Sequence, residues 1–137
     1  MGAYRIDEVQ KTIEAIQVRE FTENPVKLIV SKFRGNKKVQ KYVETLKKQS
    51  IECQIFRLSS SYKFCRVAEG AIDLFPNFGV ISEWDVAAGH CVVECAGGTM
   101  EDFNGNAIEY NKRNINVPPF LVYGSGDFSW RQYLPRY

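Results

Sequence analysis

One histidine, His90, serves 137 residues, and the four cysteines (Cys53, Cys65, Cys91, Cys95) form no Cys-x-x-Cys, so zinc-site ligand spacing is missing. His90 falls mid-way along a helical stretch and reads as a packing residue, which leaves no Ser/His/Asp arrangement to argue. No apolar run approaches the ~20 residues of a membrane span. Excess charge of one sign is also lacking: 18 Lys and Arg against 16 Asp and Glu leave +2, too little to imply a nucleic-acid partner. There is no P-loop, since GSGDF (124–128) has neither the lysine nor the spacing. The opening MGAYRIDEVQKTIEAIQ is mixed polar and acidic, unlike a secretory leader, and Ile6 stands where a myristoylation pattern wants Ser or Thr. The expectation is a cytoplasmic protein with reduced core thiols; Cys91 and Cys95, one helical turn apart, are poorly placed for a disulfide.

What is present suits one domain with an ordinary core: 45% hydrophobic and 25% charged residues, without repeats, low-complexity segments or an internal linker. AIQVREF (15–21) and PVKLIVSKF (25–33) read as strands separated by the turn signal Asn24-Pro25. NKKVQKYVETLKKQ (36–49) places Val39, Val43 and Leu46 at helical spacing with lysines opposite. SIECQIFRL (50–58) alternates Ile51, Cys53 and Ile55 as a strand; a short helix over 60–70 and a strand over 71–76 follow. Ser82 and Asp85 fit a capping box ahead of an apolar helix that stops at Gly97. Residues 98–110 read as a hairpin turning at Asn104-Gly105, 119–124 as a last strand, and 125–137 as a tail that packs through Phe128, Trp130 and Tyr133. Strands alternating with helices predict the α/β class, a mixed, mostly parallel sheet flanked by helices.

Three features carry chemistry. The lysine-rich helix (Lys37, Lys38, Lys41, Lys47, Lys48) reads as a solvated face, because Glu44 interrupts it and no aromatic stacking set accompanies it. LSSSYKFC (58–65) leads three hydroxyls into a helix start with Lys63 in the first turn: either plain N-capping by Ser59 or Ser60, or a phosphate site. Asp85 has the same two readings. The helix dipole alone accounts for a carboxylate there, by roughly 0.3–1 kcal/mol; Trp84, Ala87, Ala88 and Gly89 imply a tightly packed, partly buried helix start, where a carboxylate needs a donor or a cation.

SSSYKFCRVAEGAIDLFPNFGVISEWDVAAGHCVVECAGG (59–98) resembles the C-terminal signature of the inositol monophosphatase superfamily, and within it the bacterial 3′(2′),5′-bisphosphate nucleotidase family, CysQ. GAY (2–4), VR (18–19), SKFR (31–34) and YNKRNINVPPFLVYG (110–124) match further segments in order, so the resemblance spans about residues 2 to 124. It implies the C-terminal domain of that fold and a Mg²⁺-dependent phosphomonoesterase acting on 3′-phosphoadenosine 5′-phosphate. It places a metal ligand on Asp85, nucleotide or phosphate contacts on Lys63, Ser59 and Ser60, and further ligand contacts on Ser31 and Arg34. The sequence departs from the family at Ser59 (a glycine there), Arg34 (a histidine), Ile81 (a hydroxyl residue) and Asn77 (an arginine).

The family's Glu-Glu pair and Asp-Pro-x-Asp-Gly-Thr segment, which supply most metal ligands, do not occur; the adjacent acidic pairs Asp7-Glu8 and Glu101-Asp102 have other neighbours. The chain is therefore expected to be a single C-terminal phosphatase domain over 1–137, inactive alone, binding a phosphorylated nucleotide and completed by an N-terminal half. The alternative is a non-catalytic remnant that keeps phosphate or nucleotide binding. An apolar surface left open would favour self-association; no nucleic-acid or membrane partner is expected.

Overall fold

The computed structural model describes residues 1–32 and 36–136; Arg34 lies outside the described residues. In chain order the elements are β1 (Ala3–Asp7), β2 (Thr12–Ile16), β3 (Val26–Val30), α1 (Asn36–Lys48), β4 (Cys53–Arg57), α2 (Tyr62–Ala68), β5 (Leu74–Asn77), β6 (Ile81–Ser82), α3 (Glu83–Cys95), β7 (Thr99–Asp102), β8 (Asn116–Val117) and β9 (Phe120–Tyr123), closed by a 3₁₀ turn, Trp130–Tyr133. No helix among the described residues is long and apolar enough to cross a membrane.

Five strands form the central sheet in the order β4-β3-β5-β9-β7. β3 pairs parallel with β4 and β5, while β9 runs antiparallel to both β5 and β7, so four of the five strands point one way. Alternation along the strands feeds two cores. Val26, Leu28, Val30, Leu74 and Leu121 face α1, where they meet Val39, Tyr42, Val43 and Leu46. Ile29, Phe75, Phe120 and Val122 face α2 and α3, against Phe64, Val67, Val86 and Val93. The result is a three-layer α/β/α sandwich. The tail belongs to the α1 side: Trp130 is buried, its ring 4.3 Å from that of Phe128, and its carbonyl accepts the Tyr42 hydroxyl at 2.9 Å.

The buried carboxylate of Asp73 is held in a tight ion pair. Asp73, at the entry to β5, accepts Arg19 Nε at 2.6 Å and Arg19 Nη2 at 2.7 Å, and the Lys27 backbone N–H at 2.7 Å. A forked guanidinium and a backbone donor together satisfy a carboxylate that would otherwise be costly to bury.

Several expectations are corrected. The strand read over 15–21 is shifted: only Ala15 and Ile16 belong to a strand, the second arm of a β1–β2 hairpin that residues 3–7 complete. Val18 instead turns into the core, its N–H donating to the Ala96 carbonyl at 3.0 Å. Ile55 is exposed because β4 is an edge strand. Residues 98–110 do not form a hairpin; β7 takes β9 as its partner, and one bridge, Glu101–Ala107, remains of the return arm. The tight turn at Gly105 (φ +84°) is held by Asp102, whose Oδ1 accepts the N–H groups of Asn104 and Asn106 at 2.8 Å each. None of the cysteines is fully buried, and Cys91 is exposed.

Candidate functional site: a cleft at the strand ends

The connection leaving β3 leads to α1 on one face of the sheet, and the one leaving β5 leads to α3 on the other. In open α/β sheets a crevice forms where neighbouring connections diverge in this way, outside the carboxyl ends of the strands. A cavity of about 680 Å³ lies there, walled by Val30 and Ser31 at the end of β3, Lys38 and Val39 in the first turn of α1, Ser59, Ser60, Ser61 and Lys63 at the start of α2, Phe75–Gly79 at the end of β5, and Trp84 and Asp85 at the start of α3. Three separate segments thus bring Ser31, Ser59, Ser60, Lys63 and Asp85 together.

Lys63 forms the floor. It is 7% exposed, its Nζ donates to the Ser60 carbonyl at 2.8 Å, and it stands 5.2 Å from the centroid of the Phe75 ring. Burial pushes its pKa below the ordinary lysine value, and ring face and carbonyl together compensate the ammonium. An ammonium has three donors, so two N–H bonds remain after the one to Ser60. Ser60 has φ +136°, unusual for a residue with a side chain, and its hydroxyl accepts the Tyr62 N–H at 3.2 Å. Ser61, rather than Ser59 or Ser60, occupies the N-cap position.

Asp85 is different. It is exposed, and its Oδ2 accepts the Ser82 backbone N–H at 3.1 Å, the carboxylate arm of a capping box. The expected burial of this helix start is not found: Trp84 is 70% exposed, and Ala87 and Ala88 face solvent. Gly89 alone packs tightly, against Phe64 of α2. Glu83 is tied down elsewhere, accepting the Asn111 N–H at 3.0 Å and Lys112 Nζ at 3.2 Å. His90, as expected, is a packing residue, buried with its Nδ1 2.7 Å from the Tyr110 hydroxyl.

Sequence reasoning missed Lys38 and Phe75. Phe75 looked like any strand residue, although its ring is what Lys63 needs. Lys38 was grouped with four other lysines, although its place two residues into the helix after β3 distinguishes it.

The arrangement offers a cation, hydroxyls and a carboxylate around a space large enough for an organic phosphate. A model of the inositol monophosphatase family matches residues 4–128. The chain belongs to this family. It is 36% identical over 104 residues to the 3′(2′),5′-bisphosphate nucleotidase CysQ of Escherichia coli (strain K12), an alignment covering 76% of this chain and 40% of that protein. In structure it is similar to CysQ from Bacteroides thetaiotaomicron (TM-score 0.74, 28% identity, 87% of this chain and 44% of that one) and to an inositol monophosphatase from Thermotoga maritima (TM-score 0.64, 25% identity, 80% and 40%). The match therefore spans about two fifths of the length of each of these three proteins. Magnesium, which the resemblance implies, meets an incomplete donor set. Among the described residues, Asp85 is the one carboxylate lining the cleft, and no cluster of three His, Cys, Asp or Glu could hold a metal ion. A hard cation takes several oxygen ligands, so the described residues do not by themselves fit a magnesium site.

Proposed function

We propose that the chain is the phosphate- and nucleotide-binding part of a 3′(2′),5′-bisphosphate nucleotidase, taking 3′-phosphoadenosine 5′-phosphate in the cleft and working in the cytoplasm. The observation that carries this reading is the convergence of Ser31, Ser59, Ser60, Lys63 and Asp85 on one cavity, in a chain 36% identical to CysQ. In it, Lys63 gives its two remaining N–H bonds to a phosphate, the serine hydroxyls donate beside it, and Trp84 and Phe78 wall the organic part of the ligand. Hydrolysis needs more carboxylates than Asp85, so turnover is expected only when a complementary N-terminal half supplies them. The second reading, a binding protein without turnover, is supported by Ile81, which lines the cleft where the family has a hydroxyl.

The test is calorimetric titration of the chain with 3′-phosphoadenosine 5′-phosphate, followed by phosphate-release assays with Mg²⁺, alone and mixed with the N-terminal half of a CysQ relative. Binding is expected to weaken at least about tenfold in Lys63→Met, the scale of a lost charge-assisted hydrogen bond. Phosphate release is expected only on mixing. No binding by the cooperatively folded chain overturns the proposal; binding without release at any mixing ratio favours the second reading.

A further inference from the structure

Lys63 differs from the other lysines in its surroundings. The chain has ten lysines, and among the described residues Lys63 is the buried one, on the floor of the cleft. A buried ammonium is ordinarily held by a carboxylate. Lys112, for contrast, is held by Glu83 at 3.2 Å. Among the described residues, Lys63 Nζ has no carboxylate within ion-pair distance. Its acceptor is the Ser60 carbonyl at 2.8 Å, and the Phe75 ring lies 5.2 Å away. A carbonyl and a ring face stabilise an ammonium less than a carboxylate does, and burial lowers its pKa. The neutral amine therefore forms more readily here than on an exposed lysine, and a desolvated amine in a pocket is a nucleophile.

This amine borders the 680 Å³ cavity, beside Ser31, Ser59 and Ser61. An electrophile that carries its own phosphate would be held where the amine can reach it. Acyl phosphates meet that description: their reactive carbonyl carbon is bonded directly to a phosphate oxygen, so binding the phosphate beside Nζ presents the carbon to it.

We propose that Lys63 is a modification site, acylated by acyl phosphates that bind in the cleft, and that the acylated chain loses its phosphate site. The proposal rests on the cleft being the phosphate site. In the step, neutral Nζ attacks the acyl carbon and a C–N bond forms. The bond from that carbon to the bridging oxygen breaks, and phosphate leaves with the electron pair and takes up the proton lost by nitrogen. Nothing is oxidised or reduced. The amide product keeps one N–H for the Ser60 carbonyl and has no charge to solvate beside Phe75. It has lost the charge and the N–H bonds that an anion would use.

The test incubates the full chain with acetyl phosphate, with and without excess inorganic phosphate, and measures acetylation at each lysine by peptide mass spectrometry. The control is p-nitrophenyl acetate, an acetyl donor without phosphate. Calorimetry with inorganic phosphate follows the site, and thermal melts show that the treated chain stays folded. Acetyl phosphate is expected to acetylate Lys63 at least about tenfold faster than the exposed lysines, a modest share of what proximity can supply. Excess inorganic phosphate is expected to slow Lys63 by about tenfold through competition and to leave the exposed lysines within about twofold. With p-nitrophenyl acetate the exposed lysines should react first, and the fraction of chain that binds phosphate should fall in step with acetylation at Lys63. Acetylation of Lys63 no faster than that of the exposed lysines, in a chain that binds inorganic phosphate, overturns this proposal alone. So does a Lys63 rate that p-nitrophenyl acetate matches or inorganic phosphate leaves unchanged, and so does phosphate binding that persists in fully acetylated Lys63. A folded chain that binds neither inorganic phosphate nor the nucleotide overturns the phosphate-site reading and this proposal with it.

Discussion

Lys63 and Asp85 open successive helices on the same side of the sheet and line the same cleft, yet the fold treats them in opposite ways. Lys63 is buried against Phe75 and bonded to Ser60; Asp85 is exposed and spends one oxygen on a cap. A cation fixed in a buried floor before any ligand arrives needs little reorganisation when a phosphate binds. A lone exposed carboxylate contributes a local cap and, toward a phosphate, repulsion. The cleft is thus preorganised for an anion on its floor and left short of oxygen ligands on its acidic wall.

What sets the spacing of these two groups is the contact between α2 and α3. Gly89 lies where a Cβ would collide with the ring of Phe64, one residue along from Lys63. Gly89→Ala should therefore break the comparison altogether, forcing the helices apart at a cost of about 1–3 kcal/mol, as overpacked cores do. Thermal melts are expected to show that loss together with weakened phosphate binding. A variant that melts like the wild type would mean that Phe64 moves aside freely and that Gly89 does not set the spacing.

Asp85 separates cap from charge. Asp85→Ala removes the carboxylate arm of the capping box and is expected to cost about 1 kcal/mol in chemical denaturation. Asp85→Asn keeps an acceptor oxygen for the Ser82 N–H and should stay within about 0.5 kcal/mol of the wild type. Both remove a negative charge from the cleft, so in metal-free buffer both should bind inorganic phosphate about two- to fivefold more tightly, an effect that fades with added salt. Tighter binding in neither variant would place the Asp85 charge outside the reach of the phosphate.

Much of this architecture was legible because local rules and tertiary packing agree. Val39, Val43 and Leu46 are buried where the helical period puts them, and Ser82 with Asp85 starts α3 as the capping pattern requires. The β1–β2 hairpin was missed because its packing runs against the usual pattern. Tyr4, Ile6 and Ile13 point to solvent, while Arg5, on the opposite face of its strand, pairs with Glu14 across the hairpin and reaches Glu69 beside α2 at 3.4 Å. Nothing in a stretch of mixed polar and apolar residues marks which face is covered. The cleft was legible as residues but not as a place: Ser31, Lys63 and Asp85 are far apart in sequence, and the sheet's crossing connections bring them together. Lys38 needed that geometry most, since in the sequence it is one lysine among five.

The smallest expected effect concerns the loop above the floor. Ser60 holds φ +136°, where a side chain is strained and glycine is not. Two bonds keep it there: Lys63 Nζ pulls on its carbonyl, and its hydroxyl accepts the Tyr62 N–H. Ser60→Gly relieves the strain and keeps the Lys63 bond, which involves backbone alone on the Ser60 side, but gives up the hydroxyl contact and increases the freedom of the unfolded chain. Strain of about 1–3 kcal/mol set against those losses leaves a net gain of about 0.5 kcal/mol. Denaturant midpoints in wild type and Ser60→Gly would measure it, and the same comparison in a Lys63→Met background tells where the strain is held. If Lys63 is what imposes the conformation, the benefit of glycine should vanish once Lys63 is gone, because Ser60 is then free to relax. An undiminished benefit in that background would assign the strained turn to the chain path between β4 and α2 instead of to the buried ammonium.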